Sequence, residues 1–114
     1  MESLELAHKV VDILSDKQAE DIVLLDSREV CSFADYFVIS TGESTRQINA
    51  LSAAVSEALK GEGRLPSHVE GTAESGWILL DYGDVIVHIF APFERDYYQL
   101  DKFWETACTK IRVP

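Results

Sequence analysis

Two apolar runs dominate the hydrophobic pattern between Gly76 and Phe90. They are Trp77-Ile78-Leu79-Leu80 and Val85-Ile86-Val87-His88-Ile89-Phe90, separated by Tyr82-Gly83 with an aspartate on each side. Such runs around a glycine-containing pair predict a β-hairpin, because glycine takes the positive φ that a two-residue loop needs. With Tyr82 and Gly83 as the loop, Asp81 faces Asp84, Leu79 faces Ile86 and Trp77 faces His88. Side chains alternate across a strand. One face then carries Ile78, Leu80, Val85, Val87 and Ile89, all aliphatic, and must be core. The other carries Trp77, Leu79, Asp81, Asp84, Ile86, His88 and Phe90. A mixed aromatic and polar face suits either of two roles. It is a binding surface, since large rings supply area and polar groups supply specificity, or it is the second side of a sheet covered on both faces.

The rest of the chain follows the same periodicities. Leu4, Ala7, Val11 and Leu14, widened by Leu6, Val10 and Ile13, predict a core-facing helix over Ser3 to about Lys17, with Ser3 as N-cap. Asp21-Ile22-Val23-Leu24-Leu25-Asp26 reads as a buried strand and Asp35 to Thr41 as another. About eight residues separate them, too few for a parallel crossover, so the pair should be antiparallel. A second helix spans about Thr45 to Lys60, with stripe Ile48, Leu51, Val55 and Leu59, N-cap Ser44 with Gln47 three residues on, and a stop at Gly61 and Gly63. Ser67 to Gly71 reads as a short edge strand between a proline and a glycine. After the hairpin, Ala91 to Glu94 turns the chain, and Arg95 to about Lys110 predicts a third helix with Leu100, Phe103, Trp104 and Ala107 inward. The order αββα(β)ββα describes an α/β fold in one domain over residues 1–114, with a mixed sheet of four to five strands and three main helices.

Composition narrows the function. A chain of 114 residues is of single-domain size and buries roughly two-thirds of its unfolded surface. Its 20 acidic residues against 10 basic ones give a net charge of −10. That balance opposes direct binding to phosphate backbones, which needs lysine and arginine to displace counterions, and favours a basic partner protein. Cys31 and Cys108 lack metal-like spacing and read as free thiols in a reducing compartment, although sequence leaves a bridge between them open. No stretch is long enough to span a bilayer. A cytoplasmic protein is the expectation.

Candidate chemistry is sparse. Thr41-Gly42-Glu43-Ser44-Thr45-Arg46 joins a strand to a helix, a junction that can hold an anion. It lacks the lysine and glycine spacing of a phosphate-binding loop, Glu43 would repel a phosphate, and helix capping accounts for it. Asp81 and Asp84 bracket a turn, as acids commonly do, without the further ligands of a catalytic metal. His88 has no nucleophile beside it and suits stacking with Trp77. Arg95, Tyr97 and Tyr98 are residue types that anchor interfaces, or that pack a helix on a sheet. No cofactor, metal or catalytic residue is implied.

Two segments carry a family resemblance. Ala34-Asp35-Tyr36-Phe37-Val38-Ile39, Thr41-Gly42, Ser44 and Arg46-Gln47 form the first. The second, more specific, joins Glu70-Gly71, Gly76-Trp77, Leu80-Asp81-Tyr82-Gly83-Asp84-Val85, Val87-His88, Phe90, Arg95, Tyr98, Leu100 and Trp104. Together they resemble the Iojap family of ribosomal silencing factors over about Leu4 to Ala107. The resemblance implies a nucleotidyltransferase-like α/β core without that catalysis. It also implies binding to the large ribosomal subunit through ribosomal protein uL-fourteen, steric exclusion of the small subunit, and repression of translation when nutrients are scarce. A homodimer off the ribosome is a further implication. The contact is expected on Trp77, Leu79, Asp81, Asp84, His88, Phe90, Arg95 and Tyr98, with Trp77 and Phe90 giving desolvated area and the aspartates meeting basic side chains. The competing expectation is a nucleotide-dependent transferase, with nucleotide and metal near Thr41 to Arg46. Another is a structural dimer with a self-complementary hairpin face.

Overall fold

A computed structural model describes residues 2–29, 31–100, 102 and 109–112. In chain order the elements are α1 (Ser3–Asp16), β1 (Glu20–Asp26), β2 (Tyr36–Thr41), α2 (Thr45–Gly61), β3 (His68–Thr72), β4 (Trp77–Asp81), β5 (Val85–Phe90), α3 (Pro92–Tyr98) and β6 (Thr109–Arg112). The strands form one mixed sheet in the order β3-β4-β5-β2-β1-β6. The α/β class, the mixed sheet, its five expected strands and the three helices are all present. The sixth strand lies where the third helix was expected to end.

Each pairing has a local reason. β1 and β2 are antiparallel, as their short connection demands. β2 and β5 are parallel, because α2 and the β3–β4 pair intervene and supply the long crossover that a parallel pair needs. These two central strands are buried along their whole length, whereas every residue of β3 at the sheet edge is exposed. α1 and α2 pack on one face, presenting Leu6, Val10 and Leu14, and Ile48, Leu51, Val55 and Leu59, to Leu24, Val38, Leu80, Val87 and Ile89. The aliphatic hairpin face is therefore core, as its pattern required. A second cluster, Val23, Leu25, Ala34, Phe37, Ile39, Ile86 and Phe90, lies on the opposite face of the sheet.

Three expectations need correction. First, the hairpin loop is Gly83-Asp84, not Tyr82-Gly83. The Tyr82 N–H donates to the Val85 carbonyl at 2.9 Å, so these two residues close the turn. Tyr82, the residue after β4, is buried in the helix-side core after Ile78 and Leu80, and this burial carries the strand's alternation one residue further before the turn. Opposite pairs accordingly become Trp77 with Phe90, Leu79 with His88, and Asp81 with Ile86. The slip equals two residues, so every strand side chain keeps its face. Second, Ser3 is the first residue of α1 rather than its cap; Glu2 occupies the N-cap position and makes no side-chain capping bond. Third, α3 starts at Pro92, which suits the first turn of a helix, and ends at Tyr98, where Gln99 takes a left-handed φ of 48°; Leu100 and Lys102 are helical again, within the span expected for the third helix. Lys110 belongs to β6, where it pairs with Leu25. Phe103, Trp104 and Ala107 lie outside the described residues.

The α2 cap forms as expected, Ser44 Oγ accepting from the Gln47 N–H at 3.1 Å. Gln47 Oε1 accepts in turn from the Glu43 N–H at 2.7 Å. Helix capping thus already engages two amides of the strand–helix junction that an anion would need.

Candidate functional site

The face away from α1 and α2 is organised by aromatic rings. Odd-numbered positions of β4 and even-numbered positions of β5 point there, which gathers Trp77, Leu79, Ile86, His88 and Phe90. Trp77 lies over Phe90, with ring centroids 4.8 Å apart, because the two are cross-strand partners. Tyr98, brought back over the sheet by the short α3, approaches Trp77 at 4.8 Å. His88 lies 5.8 Å from Trp77 and 6.1 Å from Phe37 of β2.

These contacts extend into a row across the molecule. From the β1–β2 connection it runs through Phe33, Phe37, His88, Trp77, Tyr98 and Tyr97 to Phe93. Its two ends are open: Phe33 is 63% exposed, Phe93 71% and Tyr97 69%. Its centre is closed, with His88 at 5% and the underlying Phe90 at 0%. Trp77 and Leu79 are half-buried, and Tyr98 is half-exposed. Exposed aromatic area continuous with a packed centre is the surface type that interfaces use.

The polar residues of the site are engaged within the fold. The Trp77 indole N–H donates to His88 Nδ1 at 3.0 Å. Burial pushes the His88 imidazole down to about 4, so the ring is neutral near pH 7 and its nitrogen is available to accept. Asp81 Oδ1 accepts from the Gly83 N–H at 2.8 Å and thereby holds the turn. Asp84 Oδ1 accepts from Arg64 Nη2 at 2.8 Å, and the same guanidinium donates to the Tyr82 carbonyl at 3.0 Å. Arg95 Nη1 donates to Thr41 Oγ1 at 2.9 Å, which ties α3 to the end of β2.

The eight expected site residues therefore divide. Trp77, Leu79 and Tyr98 share the ring face with some surface open. His88 and Phe90 are there too but buried, so Phe90 supports Trp77 from beneath and offers no area of its own. Asp81 and Asp84 belong to the turn; Asp84 is paired internally, contrary to the expectation that it awaits a basic partner. Arg95 braces α3. Sequence reasoning missed Phe33, Phe37, Phe93 and Arg64. Phe33 and Phe37 join the row only once β2 lies beside β5. Phe93 was assigned to a turn. Arg64 meets Asp84 across 20 positions of chain, with no local signal.

Among the described residues no cluster of three or more potential metal ligands occurs, and no helix is long and apolar enough to cross a membrane. Cys31 is a free thiol packed against the second cluster; Cys108 lies outside the described residues.

The sequence profile described as "ribosomal silencing factor during starvation", RsfS, matches residues 1–114. The chain belongs to the RsfS family. The ribosomal silencing factor RsfS of Bacillus subtilis is 41% identical over 92 residues, covering 81% of this chain and 78% of that protein. The RsfS of Halalkalibacterium halodurans is 36% identical, covering 96% of this chain and 93% of that one. Chloroplastic Iojap of Zea mays is 36% identical over 99% of this chain and 49% of its own length. A crystal structure of a Chromobacterium violaceum protein superposes with a TM-score of 0.88 at 35% identity, covering 92% of this chain and 88% of that one. Another, from Bacillus halodurans, gives 0.77 at 34% identity and 96% coverage of both chains. Membership of the RsfS family links this chain to translation regulation and ribosome association. Phe37, Trp77, His88, Phe90 and Tyr98 of the ring face and residues 80–85 around the hairpin turn are among the residues that carry the resemblance in sequence.

Proposed function

We propose that this chain silences translation by binding the large ribosomal subunit through ribosomal protein uL-fourteen, so that its bulk keeps the small subunit away. The observation that carries this reading is the aromatic row on the sheet face that α1 and α2 leave uncovered, closed at His88, partly open at Trp77 and open at both ends. A docking surface needs apolar area already held in place, and the row supplies it. The net charge of −10 favours a basic ribosomal protein over ribosomal RNA. Contact would run through Trp77, Leu79 and Tyr98, with Arg95 and Asp81 at the rim and His88, Phe90 and Asp84 holding the surface from within. The action is steric and needs no cofactor or catalysis. It would take place in the cytoplasm, and a homodimer off the ribosome would compete for the same apolar face.

The test is cosedimentation with purified large subunits, with and without small subunits, comparing the wild type with Trp77→Ala and Tyr98→Ala. Loss of a central tryptophan anchor should weaken binding by about 2 kcal/mol or more, roughly thirtyfold, and restore subunit joining. Undiminished binding by a folded Trp77→Ala protein would refute the surface. Failure of the wild type to bind large subunits would refute the function.

A further inference from the structure

We propose that His88 is a positioning residue for Trp77. It takes up the indole N–H from within the sheet, so that the ring meets its partner already fixed in one orientation and as apolar area alone. This rests on the docking reading above and names how that surface is held.

Trp77 is half-buried at the surface of the sheet. The indole N–H is its single polar group, and at a surface it finds water or a partner's carbonyl. In this chain it turns inward, 3.0 Å from His88 Nδ1. His88 can accept because its ring is neutral, and burial at 5% exposure keeps it so. The acceptor is itself fixed. His88 sits on β5 opposite Leu79 and beside Ile39 of β2, with rings of Phe37 and Phe90 each at 6.1 Å. It occupies a buried central strand, where a polar side chain needs a specific reason to be retained. Trp77 is then held on three sides: Phe90 beneath, Tyr98 beside it, and the hydrogen bond at its edge. An anchor with one available rotamer avoids the ordering cost that a mobile side chain incurs on binding.

Two measurements test this. In protein labelled with nitrogen-15, an N–H···N bond transmits a coupling between donor and acceptor nitrogens. We expect that coupling between Trp77 Nε1 and His88 Nδ1, with the Trp77 indole signal identified by its loss in Trp77→Phe. Its absence overturns the proposal by itself, whatever the binding results. In cosedimentation with large subunits, His88→Leu should bind roughly tenfold more weakly, with faster indole proton exchange. His88→Asn offers an oxygen near the Nδ1 position and should restore most of both. In a Trp77→Phe background, His88→Leu should have no further effect. Equal binding by His88→Leu and His88→Asn overturns the positioning role while Trp77→Ala still loses binding. Wild-type binding by Trp77→Ala, with the coupling present, instead overturns the docking reading, and the role of His88 in binding falls with it.

Discussion

Acid should destabilise this fold through His88, and the size of the effect follows from the structure. Burial lowers the imidazole from 6.5 to about 4. The cause is desolvation, on a face where the neighbouring rings are Trp77, Phe37 and Phe90. In the unfolded chain His88 titrates near 6.5. Between pH 6.5 and 4 the unfolded state therefore binds the extra proton and the folded state does not. Stability is fully present above the unfolded value and falls as pH drops towards 4, after which the loss saturates. At about 1.4 kcal/mol per pH unit, the full loss is about 3 kcal/mol, of which about 2 kcal/mol is gone by pH 5. Against a domain stability of about 5–15 kcal/mol this is large. At a slope of about 1.5 kcal/mol per molar urea, the midpoint should fall by about 1.3 M between pH 7 and 5. The assay is equilibrium urea unfolding at half-unit pH steps, wild type beside His88→Asn, which does not titrate and keeps an acceptor for Trp77. Subtracting the two curves removes the contribution of carboxylates and of the two other histidines. A difference that stays flat from pH 7 to 4.5 would refute the burial argument.

Other substitutions probe separate parts of the fold. Gly71 has φ +82°, and a Cβ there would stand 1.9 Å from the Trp77 carbonyl oxygen; Gly71→Ala should cost at least about 2 kcal/mol, read by thermal unfolding, and a stability equal to wild type would contradict the close approach of β3 to β4. Ser44→Ala removes the α2 cap and should cost about 1 kcal/mol, whereas Ser3→Ala, outside any cap, should change the melting temperature little. Phe33→Ser alters an exposed end of the ring row; stability should stay within about 0.5 kcal/mol while retention on large subunits falls a few-fold. A Phe33→Ser protein that binds as wild type would confine the docking area to the β4–β5 and α3 end.

The chain itself determined which residues face which way. Period-two alternation placed Ile78, Leu80, Val85, Val87 and Ile89 on the helix side and Trp77, Ile86, His88 and Phe90 on the other, and that division survives because it depends only on parity. The stripes of α1 and α2, the Ser44 cap and the antiparallel β1–β2 pair were legible for the same reason: each rests on local sterics or on a short connection. What needed the tertiary structure was everything set by competition between distant parts. Burial of Tyr82 beneath the helices moved the turn by one residue and gave Trp77 a phenylalanine partner in place of a histidine. Thr109–Arg112 pairs with β1 as a strand; the alternation of Thr109 and Ile111 with Lys110 and Arg112 is a period-two signal that the helix expected to run to about Lys110 passed over. The parallel docking of β5 on β2 brought Phe37 beside His88 and so joined the two halves of the ring row. Burial, too, belongs to the assembled sheet. Alternation says that His88 and Phe90 share a face with Trp77, but only the packing around them says that they lie beneath the surface, with Trp77 and Tyr98 left partly open above.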